Sequence, residues 1–119
     1  MTPRVLFEVV DGRGKPVRII EPCWNHAIDG HPEMAGEEDA IGLTISDPDF
    51  VIRPTNRPRG RGIDRRVNCR LGAHSRYNEP YVLVPIDYAR EENWMVTAYI
   101  SHHPPKGDLL FVRVPFRWS

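Results

Sequence analysis

The sequence predicts an α+β fold, in which an N-terminal hairpin and two short helices pack on one face of a four- to five-stranded antiparallel sheet. Three observations support this class. Two β-rich runs flank an Asp-Gly turn near the N-terminus, and two segments with helical features follow. The rest of the chain alternates β-rich runs with hairpin-sized joins, so helices come first and a meander of strands second.

The hairpin is predicted by residues 4–10 and 17–20, which are rich in β-branched residues and enclose the turn residues 11–16. Glu21-Pro22 follows, with proline at a favourable first helical position, and opens a short helix that carries Trp24, His26 and Ile28. A second helix is expected over residues 36–45, because acidic residues in its first turn suit the helix dipole.

The remaining runs are predicted strands at residues 50–53, 66–71, 80–86, 94–100 and 109–115. Side chains alternate along a strand, so Met95, Thr97 and Tyr99 are expected on one face of the 94–100 strand. Two hydroxyl groups on one face suit substrate contacts, although threonine and tyrosine are also simply good strand formers.

Length and composition indicate a single domain over residues 1–119. The chain is 40% hydrophobic and 27% charged, and its two cysteines are too few for a disulfide framework. No apolar run is long enough to span a bilayer, so we expect a cytoplasmic protein without a membrane segment. No cofactor is expected, and the oligomeric state is not predicted.

Charge is segregated along the chain although the formal net charge is zero. Residues 53–70 contain seven arginines against the single acid Asp64, with a basic loop expected at about 53–66. This segregation fits either an anionic partner such as RNA or a solvated loop, and composition does not decide between them.

The segment 24–34 is the strongest candidate for chemistry, because it contains two imidazoles and a carboxylate. Pro32 ends the preceding helix, so His31 and Glu33 are expected at a chain reversal that can aim side chains into a cleft. An imidazole titrates near neutrality, which makes His31 and His26 candidate acid and base groups. Glu33 is either a base or the group that holds a histidine tautomer. Capping or packing roles remain the alternative.

A longer pattern resembles a known family. The Asp-Gly hairpin is followed by Trp24-x-His26, His31-Pro-Glu-Met34, Ile45-x-Asp-Pro-Asp49 and Val96-Thr-Ala-Tyr99. This order, over residues 7–101, resembles the phage-associated branch of the BECR superfamily, which groups barnase, EndoU, colicin-type and RelE-like ribonucleases. The arginine-rich stretch 53–70 departs from the pattern, since a shorter link is expected there.

The resemblance implies N-terminal helices packed on a four-stranded antiparallel sheet and a metal-independent ribonuclease that cleaves RNA by 2′-hydroxyl attack. A toxin-like member would also have an antitoxin or immunity protein as a partner. The catalytic candidates carried over by the motifs are His31, His26, Glu33, Tyr99 and Thr97. Such families exchange their catalytic side chains freely, so acid and base are not assigned by the match.

Arginine is a natural phosphate ligand, being permanently charged and able to bind in a bidentate way. Arg76, Arg65 and Arg66, with Tyr77, are therefore the predicted substrate-binding residues. A zinc site is not expected, because Cys23, His26 and His31 match no familiar ligand spacing. The alternative function is a non-catalytic nucleic-acid- or protein-binding module of phage or mobile-element origin.

Overall fold

The computed structural model describes residues 2–58, 62–72 and 80–113, and over these ranges the fold is α+β with two helices and a mostly antiparallel sheet. Arg76 and Tyr77 lie outside the described residues. A 3₁₀ turn, Pro32–Met34, follows the first helix. The elements are β1 (Val5–Val10), β2 (Pro16–Ile20), α1 (Glu21–Gly30), α2 (Glu38–Ser46), β3 (Phe50–Pro54), β4 (Asp64–Leu71), β5 (Tyr81–Tyr88), β6 (Asn93–Met95), β7 (Tyr99–Ser101) and β8 (Gly107–Val112).

The sheet has eight strands within the described ranges, in the order β1-β2-β6-β5-β4-β3-β8, with β7 also paired to β5. The predicted four to five strands are therefore wrong, because the hairpin strands β1 and β2 join the same sheet. Because β1 and β2 precede α1 in the chain, the two helices come between strands of one sheet. The N-terminal helical layer implied by the resemblance therefore does not form. The predicted meander also fails at β8, which crosses to pair with β3 at the far edge.

The N-terminal hairpin forms as its turn residues predict. The Asp11 carboxylate accepts hydrogen bonds from the backbone N–H groups of Arg13 and Lys15, each at 2.8 Å. Gly14 adopts a φ of 86°, which glycine reaches without strain. These bonds set the reversal that brings β2 back along β1, and α1 begins directly after β2 at Glu21.

The main core lies between the two helices and one sheet face, here called the helical face. Ile41 and Ile45 on α2 are fully buried against alternate residues of β5, among them Val84. Each such side chain contributes about 1.5–3 kcal/mol by its removal from water. The described members of this core are Val17, Ile19, Ala27, Met34, Ala40, Ile41, Ile45, Val82, Val84, Ile86, Tyr88, Met95 and Ala98.

A smaller cluster lies on the opposite sheet face, here called the groove face. Val67, Cys69 and Leu83 are buried there against three partly buried aromatic rings, one of which is Tyr99. Burial, with a smaller effect of Asp49, raises the pKa of the Cys69 thiol to about 12, so the thiol is an uncharged core group at neutral pH.

The predicted strand 94–100 is interrupted, since residues 96–98 separate β6 from β7. Met95 and Ala98 are both buried in the main core, whereas Thr97 and Tyr99 line a groove on the other face. The expectation that Met95 shares a face with Thr97 and Tyr99 is therefore wrong, because the irregular residues shift the alternation. Neither helix in the described part of the chain is long and apolar enough to cross a membrane.

Candidate functional site

A groove of about 590 Å³ lies on the groove face. A backbone hydrogen bond joins two of its walls. The N–H of Thr55, which follows β3, donates to the carbonyl of Lys106, which precedes β8, at 2.9 Å. Arg65 and Val67, alternate residues of β4, lie on the groove side. The described lining residues are Pro54, Thr55, Asn56, Arg65, Val67, Pro85, Val96, Thr97, Tyr99, Pro105 and Lys106.

His31, Glu33 and Tyr99 come together beside this groove. The rings of His31 and Tyr99 are stacked, with centroids 5.3 Å apart and planes inclined by 28°. The carboxylate Oε2 of Glu33 lies 3.6 Å from Nδ1 of His31. His31 ends α1, where its backbone N–H donates to the Ala27 carbonyl, and Pro32 opens the turn that returns Glu33 towards it.

Tyr99 is the member of this group that also lines the groove. Burial, together with the neighbouring Cys69, raises the pKa of its hydroxyl group. The hydroxyl is therefore protonated at neutral pH and can donate a hydrogen bond. Thr97 lines the same groove two residues earlier and offers a second hydroxyl group.

Arg65 is held against the groove by a buried acid. Its Nε and Nη2 atoms donate to the two carboxylate oxygens of Asp87 at 2.6 and 2.8 Å, in a side-on bidentate pair. Asp87 is only 4% exposed, and its hydrogen bonds raise the pKa of Arg65. Asp87 does not engage Nη1, and this nitrogen makes no hydrogen bond to any residue that the structure describes, so it is available to a phosphate.

The other sequence candidates lie elsewhere. His26 is exposed on α1 and, within the described ranges, has no hydrogen bond, ion pair or ring contact. Arg66 lines a cavity on the helical face, because adjacent residues of β4 point to opposite sides of the sheet. The structure thus brings His31, Glu33, Thr97, Tyr99 and Arg65 to one region and separates His26 and Arg66 from it.

No family model matches the sequence, and no curated protein or solved structure is a significant match to it. The candidate site is therefore defined by its own geometry.

Sequence reasoning missed Asp87 and Lys106. Asp87 had a visible signal, since it is a carboxylate inside the otherwise apolar strand β5, and such a buried charge needs a partner. Lys106 lies in a Pro-Pro-Lys-Gly turn, and only the pairing of β8 with β3 brings that turn to the groove. No local pattern predicts this placement.

The thiol of Cys23 is not activated, because burial and the nearby charge of Asp87 both raise its pKa. Among the residues that the structure describes, no three His, Cys, Asp or Glu side chains are close enough to hold a metal ion together. Cys23, His26 and His31 thus do not form a joint ligand set in this part of the chain.

Proposed function

We propose that the protein is an endoribonuclease that cleaves RNA by attack of the 2′-hydroxyl group, acting in the cytoplasm without a metal ion. The observation that carries this proposal is the stacking of His31 on Tyr99, with the Glu33 carboxylate at Nδ1 of His31. This reaction needs a base for the 2′-hydroxyl, an acid for the leaving oxygen and positive groups on the phosphate.

His31 is the proposed base. A carboxylate near Nδ1 favours the tautomer in which Nδ1 carries the proton and Nε2 is left as the acceptor. Glu33 is the proposed partner for this tautomer, since its carboxylate lies 3.6 Å from Nδ1 and catalytic hydrogen bonds commonly shorten in the substrate complex. Nε2 then takes the proton of the 2′-hydroxyl group, and the 2′ oxygen forms a bond to phosphorus.

Tyr99 is the proposed acid. As the bond from phosphorus to the 5′ oxygen breaks, the protonated hydroxyl of Tyr99 gives its proton to that oxygen. The products are a 2′,3′-cyclic phosphate and a 5′-hydroxyl end, and proton exchange through water restores the imidazole and the phenol. The phenol carries its proton at neutral pH, and burial raises its pKa further, so it gives the proton only to a strongly basic oxygen such as the developing 5′ alkoxide.

The groove supplies the phosphate contacts. Lys106 is exposed on its wall, and Arg65 offers Nη1 from a guanidinium whose orientation Asp87 fixes. The Thr97 hydroxyl is a further donor. Positive groups held in place before the substrate binds stabilise the extra charge of the phosphorane without reorganisation during the reaction.

The test is cleavage of a labelled RNA oligonucleotide by the full chain in EDTA, with identification of the 2′,3′-cyclic phosphate. His31→Ala should lower the rate by about 10²–10⁴-fold while the circular dichroism spectrum is unchanged. His103→Ala, an exposed histidine in the β7–β8 turn, is the matched control. A substrate with one 2′-deoxy position should resist cleavage at that position. Cleavage that persists in His31→Ala contradicts the proposed base.

A non-catalytic nucleic-acid-binding module is the second candidate. One observation favours it: His26 does not line the groove, so the predicted pair of His26 and His31 does not assemble beside the phosphate contacts. A binding module would retain RNA in a salt-dependent way with no cleavage in any buffer. Retention without cleavage would therefore select this function over the ribonuclease.

A further inference from the structure

A second cavity, of about 340 Å³, lies on the helical face and is separated from the groove by the sheet itself. Arg66 and Asn68 of β4 line it, whereas the alternate residues Arg65 and Val67 line the groove. Its described walls come from the hairpin turn, the turn after α2, and strands β3, β4, β5 and β8.

Asn68 presents an unused acceptor at this cavity. Its side-chain Nδ2 donates to the carbonyls of Thr44 and Ile45 in the last turn of α2, each at 3.2 Å. These two acceptors fix the orientation of the amide, because only the NH₂ end can satisfy them. Asn68 is 3% exposed, and its Oδ1 accepts no hydrogen bond from any residue in the described ranges. A buried amide oxygen of this kind calls for a donor.

Two guanidiniums and two carboxylates line the cavity, and one of these carboxylates, that of Asp47, is paired with Arg70 and Arg113. The guanidinium of Arg13 lies 4.6 Å from the centre of the Tyr88 ring, and that of Arg66 lies 5.9 Å from the same point. Asp11 is already engaged by the Tyr88 hydroxyl at 2.6 Å and by two backbone N–H groups. In this ion-paired cluster three guanidiniums, those of Arg13, Arg66 and Arg53, share the two carboxylates of Asp11 and Asp64. This cluster has one more guanidinium than carboxylates, and Arg13 and Arg66 are its two guanidiniums that line the cavity.

An exposed aromatic ring completes the lining. Phe111 on the edge strand β8 is 48% exposed, although a phenylalanine side chain gains free energy on burial. Leu110 and Val51 extend the apolar surface beside it. A flat ring laid on Phe111 would cover this surface, and ring stacking of this kind is tolerant of the identity of the ring.

We propose that this cavity binds a nucleotide, with the base on Phe111, a base N–H group donating to Asn68 Oδ1, and the phosphate at the guanidiniums of Arg13 and Arg66. Each of the three features matches one part of this ligand. The site does not depend on the proposed ribonuclease activity, since it uses the opposite face of the sheet. The nucleotide is either free or a unit of an RNA strand.

The test is titration of the ¹⁵N-labelled full chain with 5′-AMP, 5′-CMP, adenosine and inorganic phosphate, followed by NMR. We expect saturable shifts of the Asn68 side-chain NH₂ resonances with the nucleotides, at a Kd below about 1 mM. Adenosine and phosphate alone should bind at least about 10-fold more weakly, because each satisfies only part of the site. Phe111→Ala should weaken nucleotide binding by about 10-fold, in the range of base–aromatic stacking.

Leu109→Ala is the matched control, because Leu109 is 62% exposed on the same strand but does not line the cavity. Titration with a 2′-deoxy pentanucleotide distinguishes the two sources. If the pentanucleotide binds more tightly than AMP, the natural ligand is a nucleic-acid strand. If the two bind equally, the natural ligand is a free nucleotide. Binding that phosphate alone reproduces, or that Phe111→Ala leaves unchanged, overturns the proposal. His31→Ala should bind nucleotide normally at this cavity, so loss of cleavage and loss of this site are separable.

Discussion

The pair between Asp87 and Arg65 gives the sharpest prediction for stability. Asp87→Asn keeps the side-chain shape but removes the negative charge and one of the two acceptors at 2.6 and 2.8 Å. Breaking a fully buried pair by removing one partner costs about 3–5 kcal/mol. The Arg65 side chain is 26% exposed and regains some water, so we expect a loss of about 2–3 kcal/mol in the free energy of unfolding.

Urea unfolding at pH 7 measures this loss. With an ordinary m-value, a loss of this size lowers the urea concentration at the unfolding midpoint by about 1 M or more. The interaction free energy between the two side chains is obtained from Arg65→Met and the double variant Asp87→Asn/Arg65→Met. The double variant has neither charged group, so it leaves no unpaired ion. The double variant should therefore be more stable than the sum of the two single losses predicts, by at least about 1 kcal/mol. A loss below about 0.5 kcal/mol for Asp87→Asn, or simple additivity, would refute the reasoning.

Three further predictions concern the hairpin and the groove. Gly107→Ala places a Cβ in steric conflict with the Arg53 carbonyl oxygen, so β8 must shift, and we expect the free energy of unfolding to fall by about 1–3 kcal/mol in thermal or urea unfolding. Tyr88→Phe removes a 2.6 Å bond to the buried Asp11 carboxylate and should cost about 1.5–3 kcal/mol at pH 7. Burial and Asp11 raise the pKa of Tyr88 in the folded protein. As pH rises above about 10, the unfolded chain loses the tyrosine proton while the folded protein keeps it, so the free energy of unfolding falls. This fall should be shallower in Tyr88→Phe. Lys106→Gln should weaken RNA binding and lower its salt dependence by about one phosphate contact, measured by fluorescence anisotropy.

The parts of the fold that short-range signals determine could be predicted from the sequence. The Asp-Gly turn located the hairpin, and Pro22 and the acids before Ile41 located the two helices, with boundaries that differ by a few residues. Long-range pairing could not be predicted. The parallel contact of β2 with β6 rests on one residue pair, Arg18 and Trp94, and nothing in either segment marks the other as its neighbour.

The candidate site divides in the same way. His31 and Glu33 are two residues apart around Pro32, so their proximity follows from the local turn. Their contact with Tyr99 depends on where β7 lies beside β5, and the break after Met95 places Tyr99 on the groove face. The motif suggested these residues as a group, whereas the distances between them required the fold.

Folding also changes what the arginine-rich segment can do. The sequence suggests one basic region over residues 53–70, yet most of its described guanidiniums are paired with carboxylates contributed by β4, β5 and the turn after α2. These pairs are Arg53 and Arg66 with Asp64, Arg65 with Asp87, and Arg70 with Asp47. Because adjacent residues of a strand face opposite sides, the same arginines are also divided between the groove and the cavity. RNA binding to this chain should therefore depend on salt as if about two phosphates were contacted, with a slope of roughly −1.4 for a single strand. A slope near −5 would show that the segment acts as one undivided basic surface.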